Sequence, residues 1–333
     1  MTNSDSRPAR PGEFELIAEL FAPLATSAGA FGLTDDAAIV APPSGFDLVV
    51  TADAVIEGVH LLAEDPPHLI AKKALRVNLS DLAAKGCKPH GYLLVLAIPP
   101  KVEMHWLAEF ARGLKEDQNE FAISLLGGDT NSTAGPLTIA ITAFGLVPNG
   151  TVLRRSGAKP GDLVYVSGMV GAAGGGLACL KAPQSFASLS LVDRGSLINR
   201  YRLPEPRLSL GQALHGIATS AIDVSDGLLA DLGHIAEASG ARIVIEGGRI
   251  PVPRPLRTIW GDDDALVRAA TTGDDYEIAF TAPSSMRTEI AKASTQSGVP
   301  VTEIGHVEAG AGLVLLGEQG REISVPEKGF SHF

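Results

Sequence analysis

The stretch from Lys72 to Gly86, which reads KKALRVNLSDLAAKG, constrains the fold more than any other part of the chain. Its leucines recur at helical spacing and predict a buried stripe: Leu75, Leu79 and Leu82. Asn78, Asp81 and Lys85 fall on a neighbouring face of the same helix. The pattern therefore predicts polar groups held rigidly beside a packed seam, which suits either a polar site or the capping of a neighbouring loop.

The length of the chain, 333 residues, exceeds what one ordinary hydrophobic core supports, so we expect two domains. The turn cluster Pro148-Asn149-Gly150 marks the boundary between them. Residues 1–11 offer almost nothing that a core could bury, and we predict a disordered tail there. The predicted N-terminal domain then spans residues 12–148. The predicted C-terminal α/β domain spans residues 149–333, where strands alternate with helices.

The excess of acidic residues limits what the chain can bind. It has 27 Lys and Arg against 38 Asp and Glu, a formal net charge of −11, which argues against nucleic acid and anionic membranes as partners. A phosphate substrate would then need a recruited cation. Mg²⁺ is the simplest choice because it bridges carboxylates and phosphate oxygens.

The sequence lacks the features of secreted and membrane proteins. Cys87 and Cys179 have no motif spacing and imply neither a disulfide framework nor a zinc site. The N-terminal stretch has no apolar segment typical of a signal peptide, and the longest apolar runs, such as Leu93–Ile98, cannot span a bilayer. We therefore expect a reduced, cytoplasmic protein.

Acidic residues accompany several apolar runs that predict strands. The runs lie at residues 37–40, 46–51, 123–126 and 221–224. Asp53 follows the second run and Asp129 follows the third, so we expect both at strand ends. Ser225, just after the fourth run, is the expected N-cap of the next helix. The aspartates in settings of this kind are Asp35, Asp36, Asp53, Asp81, Asp129, Asp223 and Asp226.

A single aspartate of this kind is more often a turn former than a ligand, but seven of them favour a site built at strand ends. Hard oxygen ligands in that number suit Mg²⁺. The sequence contains no G-x-x-x-x-G-K-[ST] pattern and no protein-kinase signature set. Both absences disfavour the two commonest classes of nucleotide-dependent phosphotransferase.

Three further features have a functional and a structural interpretation. The glycine cluster Gly168–Gly176 could approach a phosphate through backbone N–H groups, or it could allow close helix packing. Arg154 and Arg155 could offset charge on a transferring phosphoryl group or lie solvated at the surface. His60 could donate a hydrogen bond to a substrate, although a lone loop histidine usually does not.

Taken together, the motifs resemble the thiamine-monophosphate kinase family along essentially the whole chain. The segments that carry the resemblance are Gly12-Glu13-Phe14, Thr34-Asp35-Asp36-Ala37, Thr51-Ala52-Asp53, Glu57-Gly58-Val59-His60, Val77–Ala84, Gly127–Thr130, Arg155–Ala158, Ile222–Gly227, Gly273–Glu277 and Gly329–Phe333. The resemblance implies a two-domain α/β (α+β) subunit of the aminoimidazole-ribonucleotide-synthetase-like superfamily. It also implies a homodimer formed through a mixed N-terminal sheet, with ATP bound near that interface.

The resemblance implies roles for individual residues as well. The ligands of several Mg²⁺ ions would be Asp36, Thr51, Asp53, Asp81, Asp129, Asp223 and Asp226. The groups that contact ATP would be Gly128, Asp129, Arg155 and Ser225, and the catalytic residues would be Asp81, Asp129 and Arg155. The residues that face thiamine monophosphate would be His60, Asp274 and Phe330. Asp274 stands where the family usually has Glu, so this carboxylate is one methylene shorter.

The function that the resemblance implies is transfer of the γ-phosphoryl group of ATP to thiamine monophosphate in thiamine diphosphate biosynthesis. The transfer would be direct, in line and Mg²⁺-assisted, and it would release ADP. The acceptor oxygen is already ionised near neutral pH, so alignment and charge neutralisation would suffice without a strong general base. The alternatives are another ATP-dependent ligase or cyclase of the same superfamily, and an acidic cation-binding protein without turnover.

Overall fold

The computed structural model of the chain describes residues 12–317 and 320–330. The predicted tail at residues 1–11 and the last three residues of the motif at positions 329–333 lie outside this part.

The chain divides into two compact units. The first comprises the described residues up to Pro42 together with Val50–Leu75 and Pro89–Phe144. The second comprises Pro43–Val49, Arg76–Lys88 and the described residues from Gly145 onwards. The division at residue 148 stays a prediction.

The elements along the first 148 residues build one four-stranded sheet and two long helices. They are α1 (Glu13–Leu16), β1 (Phe46–Ile56), α2 (Pro67–Ala84), β2 (Lys88–Ile98), α3 (Met104–Phe121), β3 (Ser124–Ser132) and β4 (Thr138–Pro148). The strand order is β1-β4-β2-β3. Helix α2 contains the predicted helical stretch except its last two residues and begins five residues earlier, and its leucines Leu75, Leu79 and Leu82 are fully buried, as the spacing predicted.

The third strand of this sheet is longer than the apolar run that predicted it. Strand β3 pairs in parallel with β2 and continues through the Gly127–Thr130 motif, with Asp129 opposite Val95. The prediction that Asp129 follows the strand end is therefore wrong, and so is the one for Asp53, because β1 runs on to Ile56. Ladder hydrogen bonds carry both strands beyond their apolar residues, which periodicity alone does not reveal.

The close approach of β2 explains the glycine at position 128. A Cβ atom there would lie 1.8 Å from the Leu94 carbonyl oxygen. The pairing register also shifts between Tyr92 and Leu93, where Leu126 is the extra residue on β3. Such a bulge changes the direction in which the following side chains point. Gly128 is thus required by the sheet itself, whatever else it contacts.

The strand predicted at residues 37–40 does not form. Ile39 is 65% exposed, and its N–H group donates to the Gly29 carbonyl at 2.9 Å in an irregular segment. Pro42 and Pro43 follow immediately and cannot donate to a ladder, so the run is too short to pair. Asp35 and Asp36 therefore lie in an irregular loop.

The elements of the remaining chain build a seven-stranded mixed sheet covered by helices. They are β5 (Asp162–Ser167), α4 (Ala172–Lys181), α5 (Leu191–Arg202), α6 (Leu208–Ala213), β6 (Ser220–Asp223), α7 (Leu228–Ser239), β7 (Arg242–Glu246), α8 (Arg254–Trp260), α9 (Asp262–Thr271), β8 (Ile278–Pro283), α10 (Arg287–Ser297), β9 (Val301–Glu308), β10 (Gly312–Leu316) and β11 (Glu322–Ile323). The strand order is β11-β10-β7-β9-β5-β8-β6.

The pairing in this sheet is mostly antiparallel. Strands β7 and β10 pair in parallel, and the other five neighbouring pairs are antiparallel. The predicted mixed α/β class is confirmed, with fewer parallel crossovers than the alternation of strands and helices suggested. Within residues 12–317 and 320–330, none of the helices combines the length and apolarity needed to cross a bilayer.

Small residues let α4 pack tightly against its neighbours. A Cβ atom at Gly176 would lie 2.1 Å from the Leu197 carbonyl oxygen of α5, and one at Gly175 would lie 2.5 Å from the Leu256 side chain of α8. Backbone atoms cannot move aside as a flexible side chain can. The glycines of this helix are therefore explained by packing.

We predict that Gly176→Ala lowers the free energy of unfolding by about 1–3 kcal/mol, because the new methyl group overlaps the backbone of α5. The matched control is Gly195→Ala on α5, where a Cβ atom meets nothing within 4 Å. That variant should gain about 0.5–1 kcal/mol from higher helix propensity. Urea unfolding measures both, and equal effects of the two substitutions would contradict the packing argument.

Candidate functional site

A four-residue loop, Val224–Gly227, follows β6 in the second unit, and we call it the 224–227 loop. Its carbonyl groups are held by two other segments. The Tyr276 N–H donates to the Val224 carbonyl and the Asp274 N–H donates to the Ser225 carbonyl, both at 2.8 Å. The Phe330 N–H donates to the Asp226 carbonyl at 2.9 Å. These bonds bring two predicted substrate-facing residues, Asp274 and Phe330, next to the loop that carries Asp226.

Three of the four N–H groups of the same loop converge on one carboxylate. Asp231 Oδ2 accepts hydrogen bonds from the N–H groups of Ser225, Asp226 and Gly227 at 3.1, 3.1 and 3.2 Å. Helix α7 begins only at Leu228, and its N-cap is Gly227 with a φ of +125°. The prediction that Ser225 caps this helix is therefore wrong, because the helix starts later and the side chain of Asp231 takes up the loop N–H groups.

Two glycines allow the flanking segments to come this close. A Cβ atom at Gly273 would lie 2.2 Å from the Ser225 carbonyl oxygen, and one at Gly329 would lie 2.6 Å from the Asp226 carbonyl oxygen. Asp274 and Tyr276 have φ values of +69° and +52°, which non-glycine residues rarely adopt. The Tyr276 hydroxyl donates a hydrogen bond to Asp274 Oδ1 at 3.2 Å. Strain of this kind is typical of functional segments.

Asp223, the last residue of β6, is the most deeply buried of the predicted ligands. Its Oδ2 accepts a hydrogen bond from Ser80 Oγ of α2 at 2.9 Å. Burial raises the pKa of the Asp223 carboxyl well above its usual value, and the neighbouring charges of Asp81 and Asp231 raise it further. The Ser80 hydroxyl and Lys85 oppose this effect. Asp81 and Asp223 thus form a pair of carboxylates whose mutual repulsion a bound cation would relieve.

Lys85 contributes a positive charge to the same cluster. Its Nζ donates to the Ala221 carbonyl at 3.3 Å. Burial lowers the pKa of the Lys85 ammonium, the charges of Asp223 and Asp81 oppose the shift, and the positive charge of Arg155 adds to it. Arg155 itself is exposed, and its backbone carbonyl accepts a bond from Ser239 Oγ at 3.4 Å. One end of α2 and one end of β6 therefore carry charges of both signs.

The predicted site residues of the first unit lie on separate elements. Thr51 and Asp53 lie on β1, Asp129 lies on β3, and Asp36 lies in the irregular loop before β1. Strands β1 and β3 are the two edges of the sheet, so Asp53 and Asp129 are separated along it by three strand spacings, roughly 14 Å. Asp129 Oδ2 accepts a bond from Asn131 Nδ2 at 2.5 Å. The sheet does not bring these two carboxylates together.

His60 lies in the turn after β1, where its ring is oriented by the backbone. The Ile56 N–H donates to His60 Nδ1 at 3.2 Å, and Lys73 Nζ donates to the His60 carbonyl at 3.2 Å. A neutral imidazole that accepts at Nδ1 carries its proton on Nε2. The ring is therefore arranged to offer a hydrogen-bond donor at Nε2.

The N-terminus of α4 is not available as a phosphate cradle in the way the glycine cluster had suggested. Asp275 accepts hydrogen bonds from the Gly171 N–H at 2.5 Å and the Ala173 N–H at 3.1 Å. Burial raises the pKa of the Asp275 carboxyl to about 7, although both N–H groups favour its charged form. Of the two interpretations left open by the sequence, helix packing is the one that the contacts support.

The chemistry of the second unit's carboxylates suits Mg²⁺. Among the residues that the structure describes, no three His, Cys, Asp or Glu side chains are grouped so that they could hold a metal by themselves. Mg²⁺ usually needs no such cage, because it binds through one or two carboxylates, several waters and phosphate oxygens. A buried Asp223 beside Asp81 fits that mode of binding.

Sequence reasoning missed three polar residues that support this cluster: Ser80, Asp231 and Asp275. Ser80 was visible between Asn78 and Asp81 on α2, but a buried serine has no signature in a single sequence. Asp231 lies inside a helix, where an aspartate usually reads as a solvated surface residue. The property that marks Asp231 is its burial. This burial becomes evident only in the folded structure, where the segments 273–277 and 329–330 lie against the loop.

Comparisons with known proteins cover nearly the whole chain. The family model "AIR synthase related protein, N-terminal domain" matches residues 34–147, and "AIR synthase related protein, C-terminal domain" matches residues 159–318. The thiamine-monophosphate kinase of Caulobacter vibrioides is 42% identical over 97% of this chain and 92% of the relative. The thiamine-monophosphate kinase of Escherichia coli K12 is 39% identical over 97% of this chain and 98% of the relative.

Solved structures show the same fold. The crystal structure of thiamine-monophosphate kinase from Stenotrophomonas maltophilia K279a has a TM-score of 0.80 and 39% identity, and the match covers 87% of this chain and 91% of that one. The structure of AaThiL complexed with AMPPCP and TMP has a TM-score of 0.76 and 29% identity, and the match covers 98% of this chain and 100% of that one.

We predict that Asp275→Asn becomes more stable relative to the wild type as the pH rises from 5 to 8. An unfolded Asp loses its proton near pH 3.9, whereas the folded Asp275 loses it at about 7. Between these values the folded state binds more protons than the unfolded state, so rising pH lowers the free energy of unfolding. Asn cannot ionise and removes this loss.

Urea unfolding of both proteins at several pH values measures the difference. Asp262→Asn, an exposed carboxylate on α9, controls for the loss of one negative charge. A difference between Asp275→Asn and the wild type that does not change with pH would contradict the expected proton uptake.

Proposed function

The chain belongs to the thiamine-monophosphate kinase family, and on that premise we propose that it transfers the γ-phosphoryl group of ATP to thiamine monophosphate, giving thiamine diphosphate and ADP. The observation that carries this proposal is the identity of up to 42% with kinases of that name over nearly the whole length of both chains. A related protein has been solved in complex with AMPPCP, a non-hydrolysable ATP analogue, and TMP. These relatives favour the kinase over a ligase or cyclase.

In the second unit, Asp81, Asp223 and Asp226 are the groups that would hold Mg²⁺. Asp223 is fixed by Ser80, and the backbone of Asp226 is fixed on both sides by Phe330 and Asp231. Side chains held in this way lose little freedom when a ligand binds. When bound, Mg²⁺ would neutralise charge on the phosphate oxygens and orient them.

In the first unit, the residues that would hold Mg²⁺ are Asp36, Thr51, Asp53 and Asp129. Thr51 is half-buried and the three carboxylates are exposed, so phosphate oxygens can reach them. Gly128 lies next to Asp129 on β3, and it would contact ATP through its backbone. The proposal assigns contact with ATP to Gly128 and Asp129 in this unit and to Arg155 and Ser225 in the other.

The chain's own residues would act by positioning and charge. Arg155 is exposed, and its guanidinium can pair with phosphate oxygens as they gain charge during transfer. The acceptor phosphate is ionised near neutral pH, so its oxygen needs no proton removed. Catalysis then rests on alignment of donor and acceptor, with Asp81 and Asp129 as the residues whose loss is most costly.

A different structural observation supports each of the three residues proposed to face thiamine monophosphate. Asp274 is held between the Ser225 carbonyl and the Tyr276 hydroxyl, so a carboxylate one methylene shorter than Glu is fixed close to the backbone. Phe330 is 52% exposed, so its ring can cover an aromatic ligand. His60 offers a donor at Nε2 by the tautomer argument above. Selection of the thiamine moiety would come from these three residues.

We also propose a homodimer that uses the first sheet. Strand β1 is an edge strand, and Phe46 and Val50 on it are 42% and 54% exposed. An edge strand with exposed apolar side chains is a template for pairing with a second chain. Pairing there would cover both side chains. A cytoplasmic location stays a prediction from the sequence.

We predict that Asp129→Asn and Asp81→Asn each lower kcat for formation of thiamine diphosphate by about 100-fold or more, because each removes a charge that the proposal places on Mg²⁺ and phosphate. The two substitutions test the carboxylates of the two units separately. Asn has nearly the same shape and neither residue is fully buried, so both variants should fold. Steady-state ADP release with product identified by mass measures the effect.

Asp193→Asn is the matched control, because this half-buried aspartate interacts with Ser190 at the start of α5, outside the proposed site. Its kcat should equal that of the wild type. Near-normal turnover of Asp129→Asn or Asp81→Asn at saturating Mg²⁺ would overturn the assignment for that unit. A wild type that releases no ADP with thiamine monophosphate would overturn the function.

A further inference from the structure

We propose that Asp231 is a positioning residue for phosphoryl transfer, because its carboxylate fixes the 224–227 loop that presents Ser225 and Asp226. This inference rests on the proposed function and deepens it. Asp231 would touch neither nucleotide nor substrate. It would act through the backbone of the residues that do.

The hydrogen bonds of Asp231 point to this role. One oxygen, Oδ2, receives three consecutive N–H groups, those of Ser225, Asp226 and Gly227. Three donors aimed at one point fix the backbone dihedral angles between them, since each residue must direct its N–H toward the same atom. An oxygen that already accepts three bonds is poorly placed to be a metal ligand as well. The geometry therefore favours positioning over metal binding.

The Asp231 carboxylate accepts hydrogen bonds from the loop and not from the helix that carries it. Asp231 is the fourth residue of α7, and it reaches back past the first turn to N–H groups that precede the helix. A capping residue would instead precede the helix and accept from N–H groups inside it. The N-cap position is occupied by Gly227, which has no side chain for this purpose.

Burial makes the loss of Asp231 costly for the loop. The residue is 2% exposed, and the Gly227 N–H bond to it is buried. Without the carboxylate, three N–H groups would lose their acceptor, and water cannot readily replace it at the buried Gly227 N–H. The loop would have to shift to satisfy them. The segments 273–277 and 329–330 hold the carbonyl groups of the loop, and the Glu277 carbonyl accepts the Val224 N–H, but they accept none of the three N–H groups that Asp231 holds, so they would not prevent this shift.

The experiment compares D231A and D231N with the wild type in the full chain. The control is D162N, because Asp162 is also a buried aspartate of the second unit that accepts a backbone N–H, from Lys159 at 3.0 Å, and a hydroxyl, from Thr219 at 2.7 Å. The first measurement is amide hydrogen exchange at Ser225, Asp226 and Gly227, which needs no kinase activity. The second is kcat and KM for ATP at increasing Mg²⁺ concentration.

We expect D231A to exchange these three amides about tenfold faster or more, with exchange in β8 unchanged, and to lower kcat/KM by about 10- to 100-fold. D231N should lose less, because its side-chain oxygen can still accept the three bonds. Added Mg²⁺ should restore part of the activity of both variants, since a displaced Asp226 weakens Mg²⁺ binding but does not abolish it. D162N should show neither faster exchange in the loop nor rescue by Mg²⁺.

Wild-type exchange rates in D231A, or a loss of kcat/KM no larger than that of D162N, would overturn the positioning role. If D231A does not fold, D231N decides the question by the same two measurements. A wild type without turnover would overturn the proposed function, while the exchange rates would still decide whether Asp231 fixes the loop.

Discussion

Hydrogen bonds to the backbone of four consecutive residues determine where the polar groups of the second unit lie. The carbonyl groups of the 224–227 loop accept hydrogen bonds from the N–H groups of Asp274, Tyr276 and Phe330. Three of its own N–H groups donate to Asp231, and the fourth, that of Val224, donates to the Glu277 carbonyl. Because hydrogen bonds hold both the carbonyl and the N–H groups of the loop, only the side chains of Ser225 and Asp226 can change conformation. Glycines at positions 273 and 329 are needed because the surrounding backbone lies within 3 Å of where their Cβ atoms would be.

This arrangement has an energetic cost, because it buries carboxylates close to one another. Asp223 and Asp231 lie in the same cluster as Asp81, and burial raises the pKa values of both buried carboxyls, that of Asp231 to about 7. Lys85 opposes this only in part for Asp223, because its own ammonium is also disfavoured by burial. A chain with a net charge of −11 would not keep such a cluster for stability alone. A divalent cation that arrives with ATP would relieve the repulsion between the carboxylates, so the same repulsion would favour binding of the cation.

The sequence revealed the helix α2 and its buried leucines because a 3.6-residue period is a strong local signal. It placed Asp53 and Asp129 wrongly at strand ends, because ladder hydrogen bonds extend β1 and β3 through polar and glycine residues. It left the glycines of α4 undecided, because only the neighbouring elements α5 and α8 show what fills the space beside them. Asp231 could not be found at all, because its role depends on contacts with residues that precede its own helix.

The most direct test of the central claim is to follow the phosphorus atoms of the reaction by ³¹P nuclear magnetic resonance, with Mg²⁺-ATP and thiamine monophosphate, thiamine or formylglycinamidine ribonucleotide in separate samples. A kinase moves the γ-phosphorus onto the acceptor, whereas a ligase or cyclase releases it as orthophosphate. We predict that the γ-phosphorus signal is replaced, only with thiamine monophosphate, by the terminal phosphorus of thiamine diphosphate, with no orthophosphate. Orthophosphate without a diphosphate product, or turnover with the purine precursor, would contradict the account.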